Sequence, residues 1–171
     1  MLDLFQKRRS IRDYYPKDVE DSKINEIINA CMLAPSAKNT KAWKFIIVKD
    51  IDRIKKLSQT KEHSLFAKNA KAIIVLCSEE WKYWVEDASI VGAYIYLEAT
   101  NQGLGTCWIQ VRDSQTTEGQ PAEEYVRKIL DIPKEIRVIS FFPIGYPASI
   151  TPKHITNTEG KVIIETWHRK I

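Results

Sequence analysis

Between Ala88 and Asn101 the chain reads ASIVGAYIYLEATN, a helix-length run in which Glu98 is the only charge. A helix that is apolar nearly all round has to be covered on every side, because exposed apolar surface forgoes roughly 25 cal/mol for each Å² left in water. In a chain of 171 residues this puts the segment at the centre of the fold or against a second subunit. Gly103-Leu104-Gly105 follows it and supplies glycine where a helix C-cap favours one.

The segments around this helix interleave without strict alternation. Ile24, Ile27, Ile28, Cys31 and Met32 recur at helical spacing over 22–33, with Asp21 or Ser22 as the cap and Pro35 as the stop. WKFIIV at 43–48 and AIIVLC at 72–77 read as buried strands. A charged helix is expected from Ile51 to Ser58 and another from Ala122 to Leu130. Further strands are expected over Thr106–Val111, Arg137–Phe142 and Lys161–Thr166, and residues 112–123 form the most loop-like stretch. No repeat, low-complexity tract or linker divides the chain. The expectation is one domain over 1–171, of α+β class: a mixed sheet wrapped by helices, with a long buried helix at its centre.

Composition narrows the function. Twenty-six Lys+Arg against 22 Asp+Glu leave a formal charge of +4, and only Lys7 to Arg12 is densely basic. A nucleic-acid binder concentrates charge over a face or stripe, so none is expected here. No run of eighteen apolar residues is present, and MLDLFQKRRS lacks the apolar core of a secretory leader. Cys31, Cys77 and Cys107 are odd in number and widely spaced, which points to a reducing compartment and a cytoplasmic location. His63, His154 and His168 match no HExxH spacing and no CxxC exists, so no metal is expected. A GxSxG elbow and a P-loop are absent, and Gly103-x-Gly105 lacks the third glycine of a dinucleotide fingerprint. Cys107, among hydrophobic neighbours, reads as core.

Two loops remain. Arg8, Arg9 and Arg12 can make bidentate bonds to a phosphate, with the Ser10 hydroxyl in the same turn; the stretch also reads as the solvated start of a basic helix. Pro35-Ser36-Ala37-Lys38-Asn39 joins small side chains to a fixed φ at Pro35, which lets backbone groups approach a planar ring edge. It also reads as a simple helix-stop loop.

RRSIRDY at 8–14, APSAKNTKAWKFIIV at 34–48, GLGTCWIQ at 103–110 and IGYP at 144–147 together resemble the nitroreductase family of flavin oxidoreductases, in order and spacing, from about Phe5 to Trp167. The resemblance implies an α+β sandwich that dimerises through its central helices and binds FMN at the homodimer interface. It implies that Arg8, Ser10 and Arg12 hold the FMN phosphate, ribityl chain and pyrimidine edge, with Arg9 alongside, and that Lys153 lies near a basic residue closing on the phosphate. Pro35, Ser36, Ala37 and Asn39 would reach the flavin from the partner subunit. Trp108, Ile109, Gln110 and Val111 would set backbone N–H groups beside flavin N5. The implied activity is hydride transfer from NADH or NADPH to FMN, then reduction of a small acceptor such as a nitroaromatic or quinone in the same site, a ping-pong exchange. No side chain is implied as catalytic, since the flavin carries the chemistry.

The family pattern is departed from at three places. Lys41-Ala42 stand where Gln-Pro is usual and add a charge near the cleft; Gln110 replaces a common Gly and is expected to narrow the pocket; Ile155 replaces an Arg. They leave open a relative with another reaction (dehalogenation or flavin cleavage) or a flavin-storage protein with little turnover. The 112–123 loop is either a substrate lid or ordinary surface.

Overall fold

Strand β2 (Ala72–Glu79) is buried from Ala72 through Ser78, as its unbroken run of branched apolar residues requires of a strand covered on both faces. In this computed structural model, which describes residues 1–149 and 151–167, β2 pairs antiparallel with β1 (Trp43–Val48) on one side and β5 (Ile136–Gly145) on the other. Two short strands, β3 (Gly105–Thr106) and β4 (Ile109–Gln110), pair antiparallel with the far side of β5. The parallel component of the sheet is a single bridge between Ser10 and Thr106.

Alternation along β2 divides the core. Ala72, Ile74 and Leu76 face a cluster built with helices α2 (Asp21–Met32) and α4 (Trp84–Asn101). Ile73, Val75 and Cys77 face a second cluster, built with α3 (Ile51–Ser58), a 3-10 helix (Glu62–Asn69) and α5 (Ala122–Leu130). A short α1 (Leu2–Lys7) precedes them all. The result is the expected α+β arrangement, a sheet between two helical layers.

The central helix begins at Trp84, earlier than its apolar run. Val91, Gly92, Ile95 and Ala99 are buried, whereas Ile90 and Ala93 are exposed and Tyr94 and Leu97 half-buried. Its own chain therefore covers only one side of it. The helix ends in a Schellman motif: Gly103 takes φ +71°, Gly103 N–H bonds Thr100 O at 3.1 Å and Leu104 N–H bonds Ala99 O at 2.8 Å.

Four expectations are corrected. Helix α2 is capped at Glu20 without a side-chain bond, because the Asp21 carboxylate pairs instead with Lys49. The strand expected over Thr106–Val111 is broken at Cys107-Trp108, where the register sets Cys107 opposite Pro143, which has no N–H to give the ladder. The helices at 2–7 and 62–69 were not anticipated. Residues 161–166 form no strand: among the described residues they pair with no strand of the sheet, so composition alone does not make one; Val162, Ile163 and Ile164 are exposed. His168 lies outside the described residues.

Candidate functional site

The segment Arg8–Arg12 is extended and tied to β3, with Ile11 N–H donating to Thr106 O at 2.9 Å. Side chains alternate along such a segment, so its basic cluster splits. Arg8, Ser10 and Arg12 take one side: the Arg8 guanidinium lies 5.1 Å from the Tyr96 ring centre, Ser10 Oγ is 3.2 Å from the Tyr96 hydroxyl, and Arg12 lies 5.9 Å from the Phe66 ring. Arg9 and Ile11 take the other, lining a separate cavity of about 520 Å³ with Tyr15, Leu104 and Tyr146. Arg9 donates to Pro152 O at 2.7 Å. It does not join Arg8, Ser10 and Arg12.

Of the C-terminal stretch, Lys153 is held by Asp3 rather than by this cluster. The adjacent His154 meets Arg8 instead, ring nitrogen to guanidinium at 3.2 Å, and its N–H is fixed to Gln6 O at 2.8 Å.

Strand β4 offers one free donor. Val111 N–H bonds Ile139 O at 3.0 Å, in a register where Ile109 opposes Phe141 and Gln110 opposes Ser140. Antiparallel pairs alternate between hydrogen-bonded and non-bonded, so Ile109 and Val111 belong to the ladder and Gln110 turns its N–H and C=O to the outer edge. The Gln110 carbonyl accepts the Lys61 ammonium, and burial lowers the pKa of that lysine. The Gln110 N–H has no partner among the described residues. The Gln110 side chain does not project freely: its Oε1 accepts Trp108 Nε1–H at 2.8 Å and its Nε2 donates to Arg112 O at 2.7 Å. The amide is folded along its own strand.

The loop after α2 is built differently. Ser36 to Lys41 turn through a 3-10 step with left-handed backbones at Lys38 (φ +53°), Asn39 (φ +55°) and Lys41 (φ +46°). Side chains seldom occupy this region, at roughly 1–2 kcal/mol each for residues other than glycine, and the surroundings hold it in place. The buried Asp87 carboxylate of α4 accepts Ala37 N–H at 2.8 Å, and Ser36 Oγ accepts Lys41 N–H at 3.0 Å. The Lys41 ammonium donates to Met32 O at 2.8 Å, a cation on the orphan carbonyls of a helix C-terminus. The charge expected in the cleft is thus turned back onto α2. Pro35 is exposed and Ser36, Ala37 and Asn39 are at most half-buried, and none of the hydrogen bonds described for this loop reaches Arg8 or Arg12.

Cys107 is buried, as anticipated for a core residue. Tyr96, Asp87, Lys61 and His154 escaped the sequence reading. An acid just before an apolar run and a phenol within it were the visible signals for Asp87 and Tyr96. Nothing in the sequence marked Lys61.

With this geometry in view, comparison with known proteins is informative. A family model described as the nitroreductase family matches residues 5–80 and 58–146. A protein of Archaeoglobus fulgidus, provisionally named NADH dehydrogenase/NAD(P)H nitroreductase, is 36% identical over 155 residues, covering 85% of this chain and 84% of its own. The solved structure of an FMN-dependent nitroreductase from Clostridium difficile R20291 superimposes with a TM-score of 0.93 at 36% identity, covering 98% of this chain and all of the other. An iodotyrosine deiodinase of Thermotoga neapolitana is 22% identical over 183 residues, covering 92% of this chain and 94% of its own.

Proposed function

The chain belongs to the nitroreductase family, and from that membership we propose that it is an FMN-dependent oxidoreductase drawing reducing equivalents from NADH or NADPH. The observation that carries this reading is the donor set on one side of residues 8–12. Two guanidinium groups and a hydroxyl run along an extended segment whose end, at Arg12, meets the 3-10 helix that also presents Lys61 to Gln110. Such a row suits a long ligand with a phosphate at one end and a flat ring at the other.

When bound, FMN would supply the redox chemistry, accepting a hydride and passing two electrons onward. Arg8, with His154 beside it, would hold the phosphate and Ser10 would bond the ribityl hydroxyls. Arg12 would set a positive charge at the pyrimidine edge, where it favours an anionic ring. Of the four residues 108–111, Gln110 would be the donor facing N5, because the Trp108, Ile109 and Val111 N–H groups are already engaged. Arg9 and Lys153 are left outside the binding set.

We further propose a homodimer with FMN at its interface. The side of α4 bearing Ile90 and Ala93 is left exposed by the described residues, and the arm over 162–167 exposes Val162, Ile164 and Trp167. A second copy would cover both and bring Pro35, Ser36, Ala37 and Asn39 to the opposite site. Since Lys41 and Gln110 both turn away, a flat acceptor such as a nitroaromatic or quinone fits better than one needing a tight pocket. Among the described residues no helix is long and apolar enough to cross a membrane.

The test is an absorption spectrum after loading with FMN and desalting, followed by anaerobic NADH and NADPH. Bound-flavin bands bleached by either nucleotide are expected. Protein that retains no flavin would overturn the reading, and retained flavin that neither nucleotide reduces would turn it toward storage. Ile90→Glu is expected to give monomers by sedimentation and to lose FMN with them.

A further inference from the structure

Resting on the FMN reading, we propose that the Tyr96 hydroxyl is a positioning residue that fixes the phosphate-binding segment against the strand presenting Gln110 N–H. Three contacts meet on this one side chain. Trp108 N–H donates to the hydroxyl oxygen at 2.6 Å, Ser10 Oγ lies 3.2 Å from the same oxygen, and the Arg8 guanidinium stands over the ring. The hydroxyl thus bonds Trp108 N–H and Ser10 Oγ together, and in the second of these bonds either oxygen can donate.

The helix face around Tyr96 is shaped for this role. One turn earlier, at Gly92, an added Cβ would lie 2.3 Å from the Trp108 ring and 3.2 Å from Phe142. The indole therefore rests directly on the α4 backbone, with Phe142 edge-on to it at 5.1 Å and to Tyr96 at 5.9 Å. The ring of Tyr96 explains the packing, and a phenylalanine would keep it. The hydroxyl is what ties the two segments together. Burial raises the phenol pKa, so the group stays a neutral donor and acceptor through the neutral range.

The break between β3 and β4 lies beside this contact. The register is the same on either side of it, so Trp108, like Gln110, turns its N–H away from β5, and there the Tyr96 hydroxyl takes it. Without the hydroxyl, Trp108 N–H would have no partner and Ser10 no fixed rotamer.

The experiment titrates FMN into apo wild type, Tyr96→Phe, Ser10→Ala and the double variant, following flavin fluorescence, with thermal melts of each apo protein. Amide exchange at Trp108 is measured in wild type and Tyr96→Phe. Tyr96→Phe is expected to raise the FMN Kd roughly 3- to 12-fold, the loss of one neutral hydrogen bond, to speed exchange at Trp108 and to lower the apo melting temperature by only a few degrees. In the Ser10→Ala background the same change is expected to cost less than half that factor, since much of the effect runs through Ser10. An unchanged Kd in Tyr96→Phe, or factors that multiply independently, would overturn the proposal. A wild type that binds no FMN would instead sink the cofactor assignment, while the exchange result would still report on the contact.

Discussion

Residues 8–12 and residues 36–41 each lie in a loop-like stretch of comparable length, yet they are held in opposite ways. The first is plain extended chain that does its work with side chains, alternating guanidinium and hydroxyl groups to one side. The second does its work with shape, forcing Lys38, Asn39 and Lys41 into left-handed backbone that neighbouring groups must secure. Both are fastened to α4, the first at Tyr96 and the second at Asp87, about two and a half turns apart. In the proposed dimer, one helix would thereby register the half-site a chain keeps and the half-site it lends to its partner.

If the first segment works through its side chains, truncating one should cost affinity and little else. Arg12→Ala is expected to weaken FMN binding by about 1.5–3 kcal/mol, the range for a hydrogen bond to a charged group, with the melting temperature nearly unmoved. Unchanged affinity in a fluorescence titration would remove Arg12 from the site. The second segment should respond in the other order. Asp87→Ala leaves Ala37 N–H without its acceptor and is expected to lower stability by about 1–3 kcal/mol in urea unfolding, with FMN affinity falling as a consequence. A variant that melted like wild type would mean the loop holds itself.

An effect on neither segment is expected at the opposite face. Burial raises the pKa of Glu123, but bonds from Arg137 at 2.9 and 3.1 Å and from Val138 N–H at 2.9 Å outweigh it and leave the group below its ordinary value. A depressed carboxyl stabilises the fold above the unfolded value of about 4.3, and that contribution is lost as pH falls through the lower folded value. Unfolding measured from pH 6 downward should therefore show a loss of stability below about pH 4.3 that Glu123→Gln removes; an identical acid profile in the variant would assign the loss elsewhere. The smallest effect is expected from relieving backbone strain. Lys38→Gly should stabilise the protein by a few tenths to about 1 kcal/mol, the left-handed cost less glycine's entropy. Destabilisation instead would show that the lysine backbone is at ease there.

Much of this was written in the local sequence. The apolar run at 88–101, the strands at 43–48 and 72–77 and the helices at 51–58 and 122–130 follow from periodicity and branching, which act within one element and need no knowledge of its neighbours. The motifs likewise pointed to the 8–12 and 34–39 segments as the chemically equipped loops. Other features depend on what lies across space. Arg9 parts from Arg8 because an extended strand alternates, and it is His154 that meets Arg8 because Asp3 on α1 takes up the charge of Lys153. Lys41 and Gln110 appear in sequence as intrusions on a cleft, and only their partners, Met32 O and Trp108, show them folded away. The run at 161–166 has the composition of a strand yet pairs with no strand among the described residues. Sequence determined which segments are apolar, branched or charged, because those are properties of residues. Tertiary structure decided which donors are spent and which stay free, because a hydrogen bond belongs to a pair.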